Sequence, residues 1–123
     1  MAVTGPDFIA LQVRDLGKAA DFYENTVGLT RASFSPPHAV VFDTQPTFAV
    51  RDPEPGVDLD SGRPGLGVAF WLHDPEAVAL HSVLVEAGVA ILREPFEGPF
   101  GTTFVFQDPN GYAITIHDRA TRS

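Results

Sequence analysis

The sequence predicts an α+β fold: two βαβββ modules forming a curved open sheet, with helices outside and a cleft inside. Three observations lead there. An alternating apolar stretch runs into an aspartate and then a helical pattern twice, with residues 8–13 before Asp15 and 67–72 before Asp74. Both helical patterns stop at a glycine followed by an aliphatic residue, Gly28-Leu29 and Gly88-Val89. Each half then ends in a hairpin-like run, FDTQPTFAV in the first and FQDPNGYAITI in the second. An internal repeat of this kind decides the architecture. One strand–helix–three-strand unit leaves a sheet face uncovered, and a second unit is the simplest way to complete it.

The elements follow in order. Along residues 7–14, Ile9, Leu11 and Val13 alternate with Phe8, Ala10 and Gln12, which reads as a strand. Asp15 is a good N-cap type, and Leu16, Ala19, Ala20, Tyr23 and Val27 form a stripe at helical spacing. Gly28 supplies the stop. Strands are expected over 29–34, 38–43 and 47–51, with Ser35-Pro36-Pro37 as a loop and Thr44-Gln45-Pro46 as a turn. Residues 52–65 are rich in Pro, Gly and Asp and read as a linker. Asp58 and Asp60 lie in it, without the spacing or closing Glu of a calcium loop.

The second half reopens with a strand over 67–72, Asp74 as N-cap, Pro75 at the first helical position and a helix over 77–87. A strand over 89–93, a loop over 94–101 and a closing hairpin complete it. In that hairpin 104–106 and 112–116 are strands, and Asp108-Pro109-Asn110-Gly111 is the reversal, with Gly111 suited to φ > 0. The expected organisation is module 1–51, linker 52–65, module 66–118 and tail 119–123, one domain in all.

Composition excludes several functions. A net charge of -8 argues against nucleic acid and anionic membranes as partners. The absence of cysteine removes disulfides, thiolate catalysis and Cys-ligated zinc. There is no signal-peptide pattern and no apolar run long enough for a bilayer, so the expectation is a cytoplasmic protein. No G-x-S-x-G elbow, P-loop or dinucleotide fingerprint occurs in its required context.

Two segments resemble a known family. DLGKAADFYENTVGL is similar to the DLxx(A/S)xxFYxxxLGL segment of the vicinal oxygen chelate superfamily, which includes glyoxalase I, extradiol dioxygenases and bleomycin-resistance proteins. EPFEGPFGTTFVFQDPNGYAITI is similar to that family's PWGxxFxFxDPxGxxIEL segment, with Phe100 where Trp is common. The resemblance runs from Phe8 to His117. It implies that the four metal-ligand positions of the family's enzymes fall on Phe8, Gly67, Thr115 and either Ala49 or Val50. None of these suits a divalent metal, so the resemblance points to the metal-free bleomycin-resistance-like branch. No cofactor, metal or catalytic residue is assigned.

The inner face offers apolar and aromatic groups instead. By parity it carries Phe8, Ala10 and Gln12, then Gly67, Ala69 and Trp71, then Ala113, Thr115 and His117, with Phe100 on the adjoining loop. Val68, Phe70 and Leu72 are expected on the helix side, which turns Trp71 to the cleft. The ligand-binding set is therefore Trp71, Phe8, Gln12, Ala69, Phe100, Thr115 and His117. The expected function is metal-independent binding of a small, drug- or antibiotic-like molecule, aromatic or cationic in character, by a homodimer. The alternatives are a lyase or dioxygenase-type enzyme of the same superfamily with a non-standard site, either metal-dependent through unrecognised ligands or metal-free through His117 and Gln12, and a dimer whose site has decayed.

Overall fold

Residues 2–121 are described by a computed structural model of the chain. The last two residues of the expected tail lie outside the described residues. Two compact units make up the chain, Met1–Ser61 and Gly62–Ser123, each an open mixed sheet with a helix. No helix among the described residues is long and apolar enough to cross a membrane.

In the first unit, β1 (Phe8–Gln12) leads into α1 (Leu16–Asp21). Asp15 is the N-cap, its carboxylate accepting from the Lys18 N–H at 3.1 Å. The helix continues as a π-helical segment, Phe22–Val27, and ends at Gly28 with φ 98. Next come β2 (Ala39–Phe42) and β3 (Thr47–Arg51). The sheet order is β1-β3-β2, with β1 parallel and β2 antiparallel to the central β3. Tyr23, Phe42, Phe48 and Val50 are buried on the side facing α1. Tyr23 packs edge-on to Phe48 at 5.1 Å between centroids, and Phe48 stacks on Phe42 at 5.7 Å.

The strand expected over 29–34 is reduced to one bridge, Arg31 to Phe42. Backbone bonds from Ala32 N–H to the Val41 carbonyl and from Asp43 N–H to the Thr30 carbonyl flank it. Side-chain demands explain the shortening. Arg31 turns back to Glu24 and Asp21, and the Ser35 hydroxyl takes the Val41 N–H.

The second unit holds β4 (Phe70–His73), α2 (Ala77–Glu86), β5 (Ile91–Gly98), β6 (Gly101–Gln107) and β7 (Ala113–His117), in sheet order β4-β7-β6-β5. Leu80 and Leu84 of α2 are buried, as are Phe104, Phe106, Ile114 and Ile116 of the sheet. Three expectations are corrected. β4 begins at Phe70, because residues 64–67 form turns and Gly65 and Gly67 take positive φ. Asp74 does not cap α2. It accepts from the Glu76 N–H at 2.8 Å, and Glu76 is the N-cap residue. The loop expected over 94–101 is mostly strand: β5 runs on to Gly98, absorbing two register irregularities, and reverses at Pro99-Phe100.

The closing hairpin reverses where expected, with the return strand one residue later. The Asp108 carboxylate accepts from the N–H groups of Asn110 and Tyr112 at 2.8 and 2.9 Å. Gly111 has φ 97 and Gly101 φ 86. A Cβ at Gly101 would overlap the Asp118 carboxylate that holds the Thr102 N–H, whereas one at Gly111 meets nothing nearer than Pro64 Cγ at 3.4 Å. Thermal unfolding of both variants is therefore expected to rank them. Gly111→Val should lose about 1–3 kcal/mol from backbone strain alone, and Gly101→Ala should lose more. Unchanged melting temperatures, or the reverse order, would contradict this turn geometry.

Candidate functional site

Strand parity divides the second sheet. Ile114 and Ile116 pair with Phe106 and Phe104 on the buried side. Thr115 and His117 therefore face the other way, beside Trp71 and His73 of β4, which they meet in register. Across β6 and β5 the first row continues Trp71, Thr115, Val105, Arg93, and the second His73, His117, Thr103, Phe96. The face is thus aromatic at both ends. The Arg93 guanidinium lies over the Phe96 ring, 3.6 Å from its centroid.

At the β4 end three rings converge. The Trp71 indole is edge-on to His117 at 5.4 Å and to Phe100 at 6.2 Å, and Phe100 meets His117 at 6.0 Å. His117 is buried, and its Nδ1 donates to the Arg119 carbonyl at 2.8 Å. In the neutral ring that leaves Nε2 as an acceptor. Trp71 remains 42% exposed and Phe100 37% exposed. The sequence reading did not extend the face to Val105 and Thr103 of β6, and Arg93 and Phe96 could not be read from parity because the β5 register is irregular.

The other expected site residues, Ala69, Phe8 and Gln12, are not part of these two rows. Val68, assigned to the helix side of a strand, precedes β4 and is 74% exposed. Ala69 is also outside β4 and exposed. In the first unit, Phe8 lies on β1 opposite Thr47. Gln12 accepts from the Glu54 N–H at 2.8 Å, tying the linker to β1. Phe8 and Ala10, with Ala49 of β3, line an open concavity of about 430 Å³ bordered by the loops around Pro36-Pro37-His38 and Asp52-Pro53.

The family model described as the Glyoxalase/Bleomycin resistance protein/Dioxygenase superfamily matches residues 5–116. Among solved structures, TnmS3, an antibiotic binding protein from Streptomyces sp. CB03234, is 26% identical with a TM-score of 0.75, covering 98% of this chain and 99% of that one. A glyoxalase/bleomycin resistance protein from the same organism is 27% identical with a TM-score of 0.71, covering 89% and 96%. A lactoylglutathione lyase from Agrobacterium tumefaciens, 18% identical with a TM-score of 0.64 over 95% of each chain, shares the fold alone. Among curated proteins, no sequence matches this chain with significance.

The residues at the metal-ligand positions that the resemblance implies do not fit a divalent ion. Phe8, Gly67 and Ala49 or Val50 have no donor atom, and Thr115 adds a single hydroxyl, whereas such centres take several imidazoles or carboxylates. Among the described residues no group of three or more His, Asp or Glu is gathered around one point. Each histidine already has a partner: Asp52 for His38, the Asp118 carbonyl for His73, Glu94 for His81 and the Arg119 carbonyl for His117. A ligand that binds the folded state raises its stability in proportion to the logarithm of its concentration. Millimolar zinc, nickel or manganese is accordingly expected to leave the melting temperature unchanged, and a rise of several degrees would reveal a metal site.

Proposed function

We propose that this chain, which belongs to the Glyoxalase/Bleomycin resistance protein/Dioxygenase superfamily, is a metal-independent binding protein for a small, drug- or antibiotic-like molecule with a planar aromatic part. The observation behind this reading is Trp71. So large an apolar side chain is usually well covered, yet almost half of this one is open. Phe100 and His117 hold its ring edge-on, so little freedom is lost when a second ring stacks on it. The antibiotic binding protein TnmS3, similar over nearly the whole chain, supports the ligand class.

Of the two ligand characters expected, the aromatic one is better supported. The two rows of that face contain no carboxylate, and Arg93 stands at their far end. A cation would have only ring quadrupoles and the overall charge of -8 to attract it. A homodimer belongs to the same proposal. β4 is an edge strand, and Leu66 and Val68 just before it are each 74% exposed, an apolar margin that a second copy would cover.

Acridine serves as a planar probe. Calorimetry is expected to show saturable binding that Trp71→Ala weakens by about 1–3 kcal/mol, with the melting temperature nearly unchanged because the ring is half open. Equal affinity in the variant would remove Trp71 from the site. Light scattering is expected to give the mass of two chains at micromolar concentration, and a monomer would contradict the dimer.

A further inference from the structure

In an unbroken strand Ile91, Arg93 and Pro95 would share one face, and Leu92, Glu94 and Phe96 the other. β5 departs from that alternation twice. Ile91 pairs with the buried Phe106, yet Arg93 pairs with Val105 and Phe96 with Thr103, whose strand positions face the opposite way. An extra residue between Ile91 and Arg93 turns the arginine away from α2. Another between Arg93 and Phe96 brings the ring to the same side. Pro95, which has no N–H for a ladder, falls in the second irregularity. Bulges that re-aim a side chain concentrate beside functional sites.

The arginine so placed is unspent. Its guanidinium lies over the Phe96 ring, 3.6 Å from the centroid, a contact that uses the face of the group and not its N–H donors. Among the described residues no hydrogen bond or ion pair takes those donors. Arg14, Arg31 and Arg51 each pair with a carboxylate instead. Carboxylates are not scarce, with 16 Asp and Glu against 8 Lys and Arg. The two glutamates of β5 are committed elsewhere: Glu94 meets His81 Nε2 of α2 at 3.0 Å, and Glu97 accepts from the Thr102 hydroxyl at 2.6 Å.

The row from Trp71 to Arg93 is low in the middle. Thr115 and Val105 are half-buried, whereas the residues at both ends are exposed. Three strand spacings separate those ends, roughly 14 Å. A ring stacked on Trp71 therefore extends over Thr115 and Val105 toward the guanidinium.

We propose that the molecule bound at Trp71 is an anion, a flat ring system with a carboxylate or similar acidic group at its far end, and that Arg93 reads that group. The inference rests on Trp71 being the stacking ring. The guanidinium offers two parallel N–H donors to two oxygens of one acid, a match that a lone ammonium lacks. Phe96 holds the fork in place beforehand, so less freedom is lost on binding. The overall charge of -8 gives an anion no long-range help, and the discrimination is made at contact.

The test is calorimetry on the full chain with 4-(1-pyrenyl)butyrate and 4-(1-pyrenyl)butanol, which share ring and tail and differ in charge. The butyrate is expected to bind about tenfold more tightly than the butanol. Arg93→Gln is expected to remove that preference, and Arg93→Lys, which keeps the charge without the fork, to retain only part of it. In the unaltered chain the Arg93 Nε–H resonance is expected to shift with the butyrate and stay in place with the butanol. Equal affinity for the two probes overturns this proposal and leaves Trp71 its ring. An acid preference that survives Arg93→Gln overturns it as well, because the anion would then be read elsewhere. Binding of neither probe removes the Trp71 reading and this one with it.

Discussion

Asp108 sits buried at the reversal between β6 and β7, and its carboxylate holds the backbone of Asn110 and Tyr112. What the second sheet displays follows from the register this fixes. Side chains alternate along a strand, so a slip of one residue would send Ile114 and Ile116 outward and draw Thr115 and His117 under α2. The apolar pairs Phe104–Ile116 and Phe106–Ile114 enforce the same register from the other side, since they are buried only in this one. Turn chemistry and burial agree, and their agreement puts His117 beside Trp71.

That consistency is why much of the second unit was legible before any coordinates. The turn residues, glycine stops and alternation each carry a local physical signal, and in this half they coincide. The sequence also placed Thr115 and His117 on one face of the return strand. It misjudged residues 94–98, where Arg93 and Phe96 share a face only because β5 absorbs two irregularities, and no periodicity survives that. Val68 failed for a different reason. Its alternation with Phe70 and Leu72 is real, but Gly65 and Gly67 keep the backbone out of the ladder. In the first unit the histidine after two prolines read as an unremarkable strand start. Its positive φ and its bond to Asp52 depend on a turn and a contact across fourteen positions.

The two units show one economy of design. Each turns its larger apolar residues toward its helix and keeps a different set for the opposite face: small alanines around a hollow in the first, rings in the second. Positions that carry metal ligands in the enzymes this chain resembles fall here on residues without donor atoms or on a lone threonine. What remains on the second of those faces is a set of rings interspersed with polar side chains, among them Thr115, Arg93 and His73. Such a surface gains from stacking and desolvation, roughly 0.5–1.5 kcal/mol for each aromatic pair beyond the area it buries.

The most direct measurement uses the single tryptophan. An indole N–H gives one resolvable resonance, and in this chain only Trp71 can produce it. On titration with acridine that resonance is expected to shift saturably under the ring current, with the same dissociation constant as the amides of Thr115 and His117. An indole resonance that stays in place while calorimetry reports saturated binding would contradict it, since the ligand would then sit away from the one ring on which the account depends.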